Sequence, residues 1–227
     1  MKDMKTIANV LIGTLALALM ATASSLCNTG ASACVGGALP AGDALDLNWS
    51  VEQTASLATI TGTGVTSPGN AYTVVPPDPA WLPPDGLSDW INPNGADIAE
   101  AGDNYYTYQT IFTGSAAIAG EYSSDNQLLA VYLNGNLLPS FPLNSANNIA
   151  PNCGFDCWTA FDITTGLNLN PGLNYLDFEV YNLPASSSPN TVTGFRFETT
   201  PEPSSLGLFV GGCLLFVLLM IRPHKTA

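Results

Sequence analysis

Any chemistry in residues 24–200 of this 227-residue chain has to come from carboxylates, because the only histidine, His224, stands near the C-terminus. That excludes Ser-His-Asp and Cys-His nucleophilic sites and His-ligated metal chemistry from the stretch. Two acids about 5 to 9.5 Å apart suffice for glycoside hydrolysis, and Asp97, Glu100 and Asp103, or Glu121 with Asp125, are candidate pairs. With 16 acids in the stretch such pairings arise by coincidence, so the first reading is non-enzymatic and a glycosidase is an alternative. Calcium is a better use of the same oxygens, since it takes about six to eight carboxylate, amide and carbonyl ligands. The 92–103 loop and the Asp125-Asn126 pair are candidates for it, although no EF-hand spacing is present and turn-capping is the commoner use of Asp and Asn. Sugar binding needs exposed aromatic rings beside hydrogen-bonding side chains. Trp81 and Trp90, with Asp89 and Asn92 beside them, fit that description, whereas Trp49 and Trp158 read as core.

The elements that must position these residues are strands. Residues 105–112 are aromatic and β-branched, 128–133 are apolar, and 175–181 alternate strictly. In the last of these Leu176, Phe178 and Val180 face one way and Asp177, Glu179 and Tyr181 the other, as in a half-buried antiparallel strand. Phe195 and Phe197 flank Arg196 in the same pattern. The arginine is therefore expected to point outward, where pairing with a carboxylate contributes about 0 to 1 kcal/mol. Asn134-Gly135-Asn136 is a hairpin signal, because tight primed turns need residues that tolerate positive φ. Further turns are marked at 144–148 and at Asn170-Pro171-Gly172. Residues 76–84 with Pro93 form a Pro-rich, irregular but ordered loop around the two tryptophans. The predicted fold class is all-β, an antiparallel sandwich or jelly roll.

Charge is distributed unevenly. Lys2, Lys5, Arg222 and Lys225 sit at the two ends, leaving Arg196 as the one base against 16 acids in residues 24–200. Such a field repels nucleic acid, whose affinity rests on Lys and Arg contacts to phosphate, and leaves neutral sugars, cations and basic partners. Cys153 and Cys157 are spaced for a local disulfide, and Cys27 and Cys34 for a second, in a compartment where oxidised pairs persist. A zinc reading of the 153–157 pair lacks the further ligands zinc requires.

Both ends read as export signals. Lys2 and Lys5 precede an apolar stretch, 7–20, and Ala21-Thr22-Ala23, the three parts of a secretory leader. Cleavage after Ala23 is the first choice and after Ala33 the second, which makes residues 24–200 a single acidic ectodomain. At the other end, 204–221 is uncharged and at the short end of membrane-spanning length. Arg222 and Lys225 follow it and favour a cytoplasmic C-terminus. Preceded by Pro201-Glu202-Pro203, this tail (201–227) resembles the PEP-CTERM tail of exported bacterial proteins. The resemblance implies an exosortase as partner, Pro201, Glu202 and Pro203 as the recognised motif, a membrane-held precursor, and a role at the cell surface or in the extracellular matrix.

A second resemblance lies within residues 105–198. Ser124-Asp125-Asn126, Val131-Tyr132-Leu133-Asn134-Gly135, Pro171-Gly172-Leu173-Asn174-Tyr175-Leu176 and Val180-Tyr181-Asn182 resemble galactose-binding-like β-sandwich modules. Those residues mostly serve turns, so the resemblance implies a fold and carries no ligand residue over. Three functional classes stay open: a polysaccharide-binding module, a calcium-stabilised structural or adhesive matrix component, and a glycosidase.

Overall fold

The structure is a computed structural model that describes residues 26–32, 34, 37–40, 42–75, 81–95, 105–114, 118–138, 154–163, 169–182 and 193–199. All of them fall within one compact unit, Ala23–Thr200. The leader, the sorting motif, the 204–221 span, Asp97, Glu100, Asp103, Cys153 and the 144–148 turn lie outside the described residues. Among those described, no helix is long and apolar enough to cross a membrane.

The described residues hold ten strands, in the order β1 (Leu45–Thr54), β2 (Gly69–Thr73), β3 (Ile91–Asn92), β4 (Tyr105–Thr113), β5 (Ile118–Asp125), β6 (Gln127–Leu133), β7 (Asn136–Leu137), β8 (Thr159–Ile163), β9 (Leu173–Tyr181) and β10 (Gly194–Thr199). They form one antiparallel sheet in the spatial order β7-β6-β9-β4-β1-β2-β3-β10-β5-β8. Strands far apart in that order meet through their side chains. Phe178 of β9 lies 4.9 Å from Phe195 and 5.5 Å from Phe197 of β10, and 5.2 Å from Phe161 of β8, ring centre to ring centre. Trp49 of β1 reaches the same three phenylalanines of β9 and β10 at 5.6 to 6.0 Å. The sheet therefore curls until its two halves face each other across a shared apolar core, which gives the all-β unit a sandwich-like section.

Side-chain alternation sets which face enters that core. Leu176, Phe178 and Val180 are fully buried in it, opposite Thr110, Tyr108 and Tyr106 of β4. Burying each such apolar side chain contributes about 1.5–3 kcal/mol. The predicted hairpin is present: Asn134 and Gly135 have φ of 51° and 75°, and Leu133 pairs with Asn136 around them. Two consecutive positive φ values make a two-residue primed turn, whose twist suits the flanking strands.

The turn is tied to the next motif by asparagines. Asn134 Nδ2 donates to Asn174 Oδ1 at 2.9 Å, and the Tyr175 amide donates to Asn134 Oδ1 at 2.9 Å. Asn174 also accepts from the Asn170 amide at 2.7 Å and donates to the Asn170, Gly172 and Gly114 carbonyls at 3.2 to 3.3 Å. Asn174 is completely buried, so its loss would orphan several groups at once. Asn174→Ala is expected to destabilise by about 2–3 kcal/mol, read as a lower urea midpoint with an unchanged slope. A shift under about 0.5 kcal/mol would mean that these bonds are readily replaced by water.

The amino-terminal residues are stitched into the sheet. The Thr29 amide donates to the Phe197 carbonyl at 3.0 Å, and the Phe197 amide returns a bond to Thr29 Oγ1 at 3.0 Å. Thr199 donates through its amide to Asn28 Oδ1 at 2.8 Å, and Trp49 Nε1 donates to the Cys27 carbonyl at 3.0 Å. Cys27 is disulfide-bonded to Cys34. Cys157 is also in a disulfide, while Cys153, its predicted partner, lies outside the described residues.

Candidate functional site

The ligand residues suggested by the sequence belong to or flank the 81–92 segment, which lies over β10 and the end of β5. Trp81 and Trp90 pack ring to ring at 4.3 Å, with Phe155 6.5 Å from Trp81. They sit directly above Gly194, where an added Cβ would come within 2.8 Å of the Trp81 ring and 3.1 Å of the Trp90 ring. Glycine is required there by close approach. Trp90 Nε1 donates to the Leu82 carbonyl at 2.9 Å, which closes the loop on itself.

This arrangement corrects the expectation of exposed rings. Trp81 is 3% and Trp90 0% exposed, and with Val74 they form a second small core. Neither presents a face on which a sugar can stack. The physical reason is that residues 81–90 turn both tryptophans under, onto Gly194 of strand β10, rather than outward.

The remaining candidates are also engaged in structure. Asn92 Oδ1 accepts from the amides of Asn94 and Gly95 at 3.1 and 2.7 Å, an Asx turn. Asp89 Oδ1 accepts from the Trp90 amide at 2.8 Å. Burial pushes the Asp89 carboxyl up to about 6, against that bond and the Arg196 charge. Asn126 Nδ2 donates to Asp125 Oδ1, and Thr193 Oγ1 donates to the Asp125 carbonyl at 3.1 Å. Burial pushes Asp125 up to about 7, opposed by hydrogen bonds from Trp81 and Asn126. The structure thus brings Trp81, Trp90 and Asp125 together, places Asp89 on the arginine side of the same segment, and leaves Asn92 in its own turn. Glu121 and Asp125 share strand β5 four residues apart, which separates their Cα atoms by ~13 Å. Among the described residues no group of three or more His, Cys, Asp or Glu is arranged to hold a metal ion.

Arg196 is the residue whose setting the sequence misread. It lies on the outer side of β10, as alternation predicts, yet it is only 1% exposed because residues 83–89 and Trp158 cover it. Its Nε donates to Ser88 Oγ at 2.7 Å, one terminal nitrogen to the Pro83 carbonyl at 2.7 Å, and the other meets Asp85 Oδ1 at 2.9 Å. The guanidinium carbon stands 4.7 Å from the centre of the Trp158 ring, a cation–π contact that strengthens as water is excluded. Trp158 is accordingly half-buried against the arginine rather than part of the apolar core. Ser88 passes the network on, donating to Glu198 Oε2 at 3.1 Å.

The electrostatics follow from burial. Burial acts to lower the Arg196 pKa and is opposed by Asp85, Glu198 and Asp89. Burial raises Glu198, and the nearby Asp85 charge adds to it. At Asp85 burial is outweighed by the Leu87 amide, the Arg196 charge and the Ser88 amide, which hold the carboxyl below its ordinary value. The hydrogen bonds of this network run between residues 83–88 and β10, so its evident work is to fasten the 81–90 loop to that strand. No family model, no curated protein and no solved structure matches the chain.

Proposed function

We propose that this is an exported, non-catalytic protein of the cell surface or extracellular matrix, sorted by an exosortase through its C-terminal tail. The observation that carries the reading is the order of that tail: Pro201-Glu202-Pro203, an uncharged 204–221 span, then Arg222 and Lys225. The acidic unit before it would be the exported cargo, a two-layered sandwich or jelly roll, and exopolysaccharide is its proposed ligand. The Cys27–Cys34 disulfide suits an oxidising compartment. The docking of residues 26–31 on β10 favours leader cleavage after Ala23, because cleavage after Ala33 would strip Thr29 and Cys27 from the folded sheet.

Burial of Trp81 and Trp90 favours one second reading, a structural or adhesive component that engages no glycan. The two readings share the tail and differ in whether the purified protein is retained on native exopolysaccharide.

Sorting is tested by comparing wild type with Glu202→Ala in producing cells, using an epitope tag within 186–188. The wild type is expected as a product shortened near Pro203 and released outward, with the variant full-length in the membrane. Identical full-length membrane products would reduce the tail to an ordinary anchor and remove the exosortase.

A further inference from the structure

The outer face of strands β1, β4 and β9 carries three carboxyls and no base. Thr107 stands between Glu52 and Glu179 in the ladder, and Gln109 stands between Ser50 and Asp177. The acids therefore share one face across two strand spacings, ~10 Å. Glu52, Asp177 and Glu179 are 9%, 0% and 2% exposed. Residues 55–66 cover them, and this segment contains no charged residue.

The cover is closely seated. At Gly64, where φ is +80°, an added Cβ would meet Gln109 Nε2 at 1.6 Å and Asp177 Oδ1 at 3.0 Å, so the backbone lies directly on that pair. Thr61 and Gly64 exchange backbone hydrogen bonds of 3.0 and 2.9 Å, which pinch the tip into a tight loop. The tip abuts the β6–β7 turn, since an added Cβ at Gly135 would meet the Thr61 backbone at 2.4 Å. Thr66 Oγ1 donates to Glu52 Oε1 at 3.4 Å and Gln109 Nε2 to Asp177 Oδ1 at 2.7 Å. No hydrogen bond of ordinary geometry reaches Asp177 Oδ2 or either oxygen of Glu179.

The other titratable side chains on this face are phenols, Tyr132 of β6, Tyr105 of β4, and Tyr175 and Tyr181 of β9; burial and the Glu179 charge raise that of Tyr132. The one base among the described residues, Arg196 of β10, is committed to Asp85. A buried anion without a counter-charge is costly, and here two or three would have to coexist under an uncharged cover.

We propose that residues 55–66 form a proton-latched strap, seated while Asp177 and Glu179 beneath it are protonated and released when these two ionise together. Burial pushes Asp177 up to about 6 against bonds from Gln109 and the Val65 amide, with Glu52 repelling it. Burial likewise pushes Glu179 up to about 7 against the Ala58 amide, with Asp177 adding repulsion. Both values lie above those of a solvated carboxyl, so protonation favours the seated strap. That preference is complete below about pH 4 and is lost as pH rises towards about 7.

The test is hydrogen exchange of the full chain at pH 5 and pH 8, corrected for the intrinsic pH dependence of exchange. Protection of a peptide covering 57–66 is expected to fall at least about tenfold at the higher pH, while a β8 peptide holds its protection. In the double variant Asp177→Asn with Glu179→Gln the strap is expected to stay protected at both values. If that variant does not fold, Glu179→Gln alone should move the release midpoint downward, towards the Asp177 value. Equal wild-type protection at the two pH values, or an unchanged response in the folded variants, would overturn the latch. Restoration of protection by calcium chloride at pH 8 would also overturn it, assigning the carboxyls to a cation.

Discussion

Arg196→Ala is expected to lower the free energy of unfolding by about 3–5 kcal/mol, the range for removing one partner of a buried ion pair. The side chain is almost wholly enclosed, and its loss strands several groups at once. The Pro83 carbonyl and Ser88 hydroxyl lose a donor, Asp85 loses its cation, and Trp158 loses the guanidinium beneath its ring. Lysine does not rescue it, because one ammonium cannot place donors on Ser88, Pro83 and Asp85 in a planar fork. Asp85 itself is 41% exposed, so the greater burden falls on Asp89 and Glu198, which are buried.

That division gives the effect a pH signature. Without the arginine charge the folded pKa values of Asp89 and Glu198 rise further above their unfolded values. Such groups support folding at low pH and withdraw that support as pH rises. The deficit of the variant should therefore be smallest near pH 4 and grow through about 6, where the Asp89 carboxyl already stands in the wild type. Urea unfolding of both proteins across this range measures it. A deficit that is flat with pH would identify the loss as one of packing, not of charge.

Trp90→Ala is expected to cost a further 3–5 kcal/mol class of loss, about that of other buried aromatic truncations. The indole is completely buried against Trp81 and over Gly194, and its Nε1 holds the Leu82 carbonyl. Removing it opens a cavity that Gly194 cannot fill and leaves Trp81 packed on one side only. Trp90→Phe keeps most of the volume and forfeits the hydrogen bond, for about 1–2 kcal/mol. The pair separates stability from binding: retention on exopolysaccharide by folded Trp90→Phe should equal that of the wild type. Lost retention with undiminished thermal stability would return Trp90 to the ligand-contacting residues.

Both residues mark where the sequence is legible and where it stops being so. Period-two alternation placed Leu176, Phe178 and Val180 in the core, and Phe195 and Phe197 beside them. Asn134-Gly135 announced its turn because positive φ restricts the choice of residue. Alternation separates two faces of a strand, yet it is silent on what lies over the outer one. Alternation alone therefore assigns Asp177, Glu179 and Arg196 to solvent, whereas loops 55–66 and 81–90 bury them. Signals for this existed in hindsight: a long uncharged Thr- and Gly-containing connection, and a second connection holding two tryptophans. Neither names its resting place, because a loop's docking site depends on contacts distant in sequence. Residues whose bonds span more than 100 positions, such as Arg196 with Ser88 and Pro83, carry no local trace of each other.

The pairing of residues 28 and 29 with β10 has a mechanical consequence. β10 is an interior strand, hydrogen-bonded along one side to β5, while Asn28 and Thr29 hold its far end from the other. Tension applied to the chain beyond residue 199 would load that strand on both flanks together, so the bonds resist as a group in shear. An edge strand in the same position would instead peel away one bond at a time. Were the chain held through its C-terminal end, the load would enter the sheet at a strand bonded on both flanks.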